Sequence, residues 1–340
     1  MICDFRSDTV TKPSKEMLEA MYAAQVGDDV FGEDPSINAL EEKTANIFGM
    51  EAALFCPSGT MTNQIAIKVH TTPGDEVICN DLAHIYRYEG GGIASNSGAS
   101  VRLISGDRGR ITAKQIEGEI NPDDVHFPVS SLVALENTSN KGGGSCYTSE
   151  ELLKIHSLCN QHNLPLHLDG ARLFNALVHK GQTAMQFGTW FDSISICLSK
   201  GLGAPVGSLL LGGADFIHQA KRVRKVFGGG MRQAGYLAAA GIFALDNNVE
   251  RLIEDHNNAK TLAACLASLS WVGKVIEPET NIVIFDILEN TTTQQVLEIL
   301  KNKGVLAVPF GPKSIRLVCH LDISENMMEH SLAALKQITC

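Results

Sequence analysis

The sequence predicts an α/β protein: a large domain built on a mostly parallel sheet, followed by a smaller C-terminal α/β domain. Three observations carry this. Short apolar runs with β-branched residues recur along the first two thirds of the chain and are too apolar to keep a wet face, as in a sheet covered on both sides. Amphipathic helical patterns lie between many of them. After about residue 245 the texture changes to a long helical stretch and a shorter set of strand and helix patterns.

The elements follow in order. "AALFC" (52–56) reads as a strand that runs through Pro57-Ser58-Gly59-Thr60 into a helix, "MTNQIAIKVH". "EVICND" (76–81), "SVRLIS" (100–105) and "SSLVALEN" (130–137) read as further buried strands. The stretch "YTSEELLKIHSLCNQHN" is a helix. It opens on Thr148 with Glu151 three residues on, a capping box, and carries Leu152, Ile155, His156 and Cys159 at helical spacing. "LPLHLDG" (164–170), "SISICLS" (193–199) and "GSLLLGG" (207–213) complete the set of strands. Beyond them come the helical "NVERLIEDHNNAKTLAACLASL", the strand "NIVIFDI", the helix "TTQQVLEILKNKG", the strand "SIRLVCHLDI" and a last helix, "SENMMEHSLAALKQIT". The expected division is 1–245 for the large domain and 246–340 for the small one.

Composition narrows the function. The 340 residues are 44% hydrophobic and 19% charged, the balance of a globular protein, and a chain of this length exceeds what one core usually organises. The net charge of -10 repels polyanions and anionic lipid, so neither nucleic acid nor a membrane surface is an expected partner. No apolar run approaches the ~20 residues of a membrane span. The opening "MICDFRSDTVTKPSKEM" lacks a basic segment followed by an apolar one. The nine cysteines are scattered, with no C-x-x-C pair for a zinc site, so no metal is expected and a reduced, cytoplasmic setting is.

Three features carry chemistry. The turn Ser58-Gly59-Thr60 at a helix N-terminus offers free N–H groups and a positive dipole end, a place for phosphate, although Ser58 capping an ordinary turn is the plain alternative. The pattern is neither G-x-x-x-x-G-K-[ST] nor G-x-G-x-x-G. Asp169 closes an apolar strand, at the carboxyl edge where open α/β sheets bind ligands; its alternatives are to cap the next helix or to pair with Arg172. Lys200 also ends an apolar strand, among Gly201, Gly203 and Gly207, where an amine sheltered from water is a nucleophile for a carbonyl and a flat ring can approach the backbone. "GLGAPVG" looks like a dinucleotide loop, but Pro205 and the strand-like "GSLLLGG" argue against the helix that motif needs. Together the three match pyridoxal 5'-phosphate, which asks for a phosphate cradle, a carboxylate at its ring nitrogen and an amine for its aldehyde. Lys200 is the expected bearer of that cofactor.

At this point the sequence resembles the low-specificity L-threonine aldolases, pyridoxal-phosphate enzymes of the aspartate-aminotransferase fold (fold type I). The likeness runs through "DFRSDTVTKPSKEM", "GDDVFGEDPSINALE", "SGTMTNQ", "AHIYRYEGGG", "LENT", "HLDGAR", "SKGLGAPVGS" and "GGGMRQAG" to "SIRLVCHLD", nearly the whole chain. The resemblance implies an aldehyde-lyase that cleaves L-threonine or L-allo-threonine to glycine and an aldehyde; a β-eliminating lyase or an aminotransferase of the same fold would use the same lysine and aspartate. By position it implies that His84 stacks on the cofactor ring. It also implies that Arg172 and Arg316 hold the substrate carboxylate with help from Ser7, that Glu89 lies nearby, and that His126 takes part in hydroxyl recognition or proton transfer. His84, His126 or a water held by them are the candidates for the base. Lys225 and Arg232, in the basic segment "RVRKVFGGGMRQAG", are implied to reach the cofactor phosphate of a neighbouring subunit, hence a homodimer or a dimer of dimers with shared active sites. Two positions depart from the family pattern: Ser139 stands where relatives usually carry a histidine, and Phe31 where they commonly carry a tyrosine.

Overall fold

The computed structural model describes residues 1–288 and 291–338. Among the described residues thirteen strands form three sheets. In chain order they are β1 (Cys3–Asp4), β2 (Ala52–Cys56), β3 (Glu76–Asn80), β4 (Ser100–Ile104), β5 (Ser130–Glu136), β6 (Leu166–Gly170), β7 (Ser193–Cys197), β8 (Ser208–Gly212), β9 (Val272–Ile276), β10 (Ile282–Ile287), β11 (Val305–Leu306), β12 (Val308–Pro309) and β13 (Ser314–Val318). The central sheet has seven strands in the order β2-β8-β7-β6-β5-β3-β4, and β3 through β7 pair in parallel. β3, β6, β7 and β8 are buried along their whole length, as their unbroken apolar runs require.

Two details differ from the sequence reading. β8 runs antiparallel to both β7 and β2. The link from Cys197 to Ser208 contains no helix, and without a crossover the chain can only double back. It does so at Gly207, whose φ of 126° suits glycine and whose missing Cβ leaves room for the Phe55 ring, which a side chain there would meet at 2.6 Å. β4 is an edge strand with Ser100 exposed and Leu103 partly so, because only β3 covers its flank.

Helices sheathe the sheet. Thr148 caps the helix Ser149–Gln161 through the expected capping box with Glu151. Helices Lys15–Tyr22 and Pro35–Phe48 were not read from the sequence, although the second shows its bounds plainly: Asp34 as N-cap, Pro35 in the first turn and Gly49, at φ 63°, as the stop. A second apolar core gathers Ala259, Leu262, Phe285, Val296, Leu317 and Leu335 around the four-stranded sheet β12-β13-β10-β9, and the chain's own start belongs to it. Cys3 and Phe5 are buried there, and β1 pairs with β11. The eight described cysteines are free, and Cys340 lies outside the described residues. Among the described residues no helix is long and apolar enough to cross a membrane.

Candidate active site

The carboxyl ends of β2, β6 and β7 open on one cavity of about 190 Å³, bordered by Ser58, Gly59, Thr60, Asn63, His84, Asp169, Cys197 and Lys200. A larger surface cavity of about 540 Å³ between Met1 and His330 gathers none of these groups. Lys200 follows β7 in a turn anchored by the Thr11 hydroxyl, which donates to the Lys200 carbonyl at 3.0 Å. Its half-buried amine makes no hydrogen bond or ion pair among the described residues. The charge is nonetheless felt nearby. Burial pushes the Cys197 thiol up, but Lys200 and the Ser199 hydroxyl outweigh it and leave Cys197 below its ordinary range.

Asp169 is buried and neither caps the following helix nor pairs with Arg172. One oxygen accepts from the Ala171 N–H at 3.1 Å and the other from Asn63 Nδ2 at 3.0 Å. Glu89 lies behind it, accepting from Asn63 at 2.9 Å, Gln64 at 2.6 Å and His84 Nδ1 at 3.0 Å. With Nδ1 held by Glu89, the His84 ring is left with Nε2 unpartnered among the described residues. Burial works against a charged His84 ring, yet the Glu89 hydrogen bond and the carboxylates of Asp169, Glu89 and Glu136 outweigh it and raise its pKa. A Glu89→Gln protein therefore has a His84 of lower pKa. If His84 must be neutral to accept a proton, the acidic limb of its kcat/KM profile moves to lower pH; an unmoved limb removes His84 from that role.

Glu136, missed in the sequence, ends β5 beside Asp169. It accepts backbone N–H bonds from His84 at 2.9 Å and Asn140 at 2.8 Å, and burial, with the Asp169 charge added, pushes its pKa up to about 7. The apolar-strand-then-acid pattern that exposed Asp169 is present in "VALEN" too. Asp8, also missed, is fully buried and takes Arg172 in a bidentate pair at 2.6 and 2.7 Å. Arg316 lies next to that pair without a carboxylate of its own. Nη1 and Nη2 donate to Asn140 Oδ1 and the Arg6 carbonyl, Nε is buried with no partner, and burial, then the Arg172 charge, brings its pKa down to about 10.

The other residues singled out lie apart from the cavity in this chain. Ser7 caps the turn Asp8–Val10 through a bond from the Thr9 N–H. His126 is 83% exposed on the loop before β5, bonded to Asp124. Lys225 is exposed near the end of helix Ala214–Val226, and the exposed Arg232 donates to Asp28 at 2.9 Å. Of the basic side chains in that segment only Arg224 is buried, bonded to the Phe55 carbonyl and to Asp29. Phe31 is 74% exposed, and Ser139 is buried in the turn facing Ser145.

These groups fit pyridoxal 5'-phosphate. Ser58 caps the helix Gly59–His70 through the Met61 N–H, leaving the N–H groups of Gly59 and Thr60 at the helix start. The Ser208 hydroxyl is buried under the turn, 3.6 Å from where a Cβ on Gly59 would stand and close enough to act on the Cys197 thiol. Asp169 and the free Lys200 amine border the same cavity.

Comparison with known proteins agrees. The family model for beta-eliminating lyases matches residues 4–290. The chain is 44% identical to the low specificity L-threonine aldolase of Escherichia coli, over 96% of each chain. It is 40% identical to low-specificity L-threonine aldolase 1 of Arabidopsis thaliana, over 98% of this chain and 95% of that one. The solved structure of Leishmania major threonine aldolase shares the fold at a TM-score of 0.85 and 23% identity, over 98% of this chain and 99% of that one. With a family match over most of its length and such relatives along nearly all of it, the chain belongs to the beta-eliminating lyase family, among the low-specificity L-threonine aldolases.

Proposed function

We propose that the protein cleaves L-threonine, L-allo-threonine and related β-hydroxy-α-amino acids to glycine and an aldehyde, with pyridoxal 5'-phosphate held on Lys200. The observation that carries this reading is the unpaired Lys200 amine in a cavity that also presents Asp169 and a helix N-terminus. When bound, the cofactor supplies the electron sink that lets a bond at the substrate Cα break.

The chain's own residues supply binding, orientation and proton handling. The Gly59 and Thr60 N–H groups at the helix start would hold the phosphate. Asp169, fixed by two hydrogen bonds, would supply the carboxylate for the ring nitrogen. Arg316 is a half-buried guanidinium beside Arg172 with no carboxylate of its own, and the substrate carboxylate completes it while Ser7 assists from the turn whose Arg6 carbonyl Arg316 already holds. Held there, the substrate presents its Cα–Cβ bond in one orientation, which decides which bond breaks. His84, through Nε2, receives the β-hydroxyl proton. An Arg316→Gln protein is expected to lose about 10- to 100-fold in kcat/KM, the scale of one hydrogen bond between charged groups, with most of the loss in KM. A KM left unchanged would place carboxylate recognition elsewhere.

Lys225, Arg232 and His126, exposed in their own chain, serve the cavity of a neighbouring subunit in this reading. Phe31, Val226 and Tyr236 are exposed apolar groups in the stretches that carry or contact Lys225 and Arg232, which an interface would cover. The assembly is then a homodimer or a dimer of dimers, and the setting is the cytoplasm. Product analysis tests the reaction: L-threonine and L-allo-threonine, supplied separately, are expected to give glycine and acetaldehyde in equal amounts. Ammonia with 2-oxobutanoate would assign elimination instead, and a keto acid formed with aminated cofactor would assign transamination.

A further inference from the structure

Behind Asp169, four side chains from three elements form a continuous hydrogen-bonded chain. Asn63 Nδ2 donates to Asp169 at 3.0 Å and to Glu89 at 2.9 Å, which uses both its hydrogens on carboxylate oxygens. Its Oδ1 is therefore an acceptor, and it meets His167 Nε2 at 3.1 Å. His167 Nδ1 meets the Ser193 hydroxyl at 2.9 Å, and that hydroxyl meets His70 Nε2 at 2.9 Å. The His70 ring stacks on Phe216 with centroids 4.7 Å apart.

Donor and acceptor counting permits one direction. The carboxylates oblige Asn63 to turn its amide nitrogen toward them, so His167 must carry its proton on Nε2. A neutral His167 then accepts at Nδ1 from Ser193, whose oxygen accepts from His70 Nε2–H. Burial keeps both rings neutral: with the His70 charge it brings His167 down to about 3, and against the pull of Asp192 it brings His70 to about 4.

We infer that Asn63 and His167 are positioning residues that hold the Asp169 carboxylate in register with the cofactor's ring nitrogen, through a one-way chain of hydrogen bonds ending on Ser193 and His70. His167 does not border the cavity, and Asn63 meets it only beside Asp169. With one Asp169 oxygen fixed by Ala171 and the other by Asn63, the carboxylate has no freedom to rotate away. The inference rests on the proposed cofactor site, since a different ligand would leave Asp169 nothing to aim at.

The test uses the cofactor-loaded protein and reads visible absorption as well as rate. His167→Phe keeps a ring of similar bulk and removes both nitrogens. Its kcat is expected to fall about 10- to 100-fold, the usual effect of losing an outer-shell partner, with KM little changed. The pH midpoint of the cofactor's visible absorption is expected to rise, because a ring nitrogen less firmly protonated withdraws less charge. His167→Gln, which offers one donor and one acceptor, is expected to recover part of both effects. A folded His167→Phe protein with wild-type absorption and kcat overturns the inference, and so does a His167→Gln protein no better than His167→Phe. Should His167→Phe fail to fold, Ser193→Ala carries the test, and unchanged absorption and kcat in it overturn the inference equally. Failure of the site itself looks different: the wild-type protein would then show no visible band on loading, or Lys200→Ala would keep the wild-type band.

Discussion

A Lys200→Ala protein loaded with pyridoxal phosphate is expected to lose at least about a thousandfold in kcat, the scale of removing the group that forms the covalent link in a nucleophilic mechanism. The loss should come without a change in fold. Lys200 contributes no hydrogen bond or ion pair from its amine, and its turn is held by backbone contacts and the Thr11 hydroxyl, which the substitution leaves in place. Removing its charge also relaxes the neighbours it acts on. In the unloaded protein Cys197 loses the Lys200 charge that helps hold its thiol below the ordinary range. A variant that keeps more than a tenth of the wild-type rate would contradict a covalent role for this lysine.

Asp8→Ala is expected to be the most destabilising single change near the site, costing about 3–5 kcal/mol, because it strands the buried Arg172 guanidinium without its counter-charge. Asp8 also accepts from Asn281 at 3.3 Å, so it ties the chain's first residues to the sheet of the second core as well as to Arg172. Burial alone would raise its pKa, but the charge and hydrogen bonds of Arg172, with Lys200 added, hold it down at about 2, below the ordinary 3.8. A carboxyl whose folded pKa is depressed stabilises the protein above the unfolded value, and that contribution fades as pH falls from about 3.8 through about 2. Denaturant unfolding of wild type and variant should therefore differ fully at pH 7 and converge in that acid window. Equal stabilities at pH 7 would mean that Arg172 finds another partner.

Much of this arrangement is legible in the amino-acid sequence because it is written locally. An apolar run that ends in Asp169 or Lys200 places that side chain at the carboxyl edge of a sheet, and Ser58-Gly59-Thr60 marks a helix start by its own chemistry. Those residues, with His84, border one cavity. What escaped was non-local. Hydropathy gives no strand direction, so β8 read as one more parallel strand until its helix-free connection to β7 showed otherwise. Asp8 gains its meaning from Arg172, 164 positions away, and Asn63 from His167, 104 positions away; neither partner leaves a mark on the other's stretch of sequence. Glu136 is a different case, since its strand-end pattern equals that of Asp169, but only the folded sheet sets the two side by side. His126, Lys225 and Arg232 are exposed in this chain, and the shared site proposed above would account for that.

The most direct test of the account is to locate the cofactor on the chain. Borohydride added to the pyridoxal-phosphate-loaded protein, followed by proteolysis and mass spectrometry, is expected to find the reduced adduct on the peptide containing Lys200, with substrate added beforehand protecting that lysine. An adduct on another lysine, or a protein that binds the cofactor with no borohydride-fixed product, would contradict it.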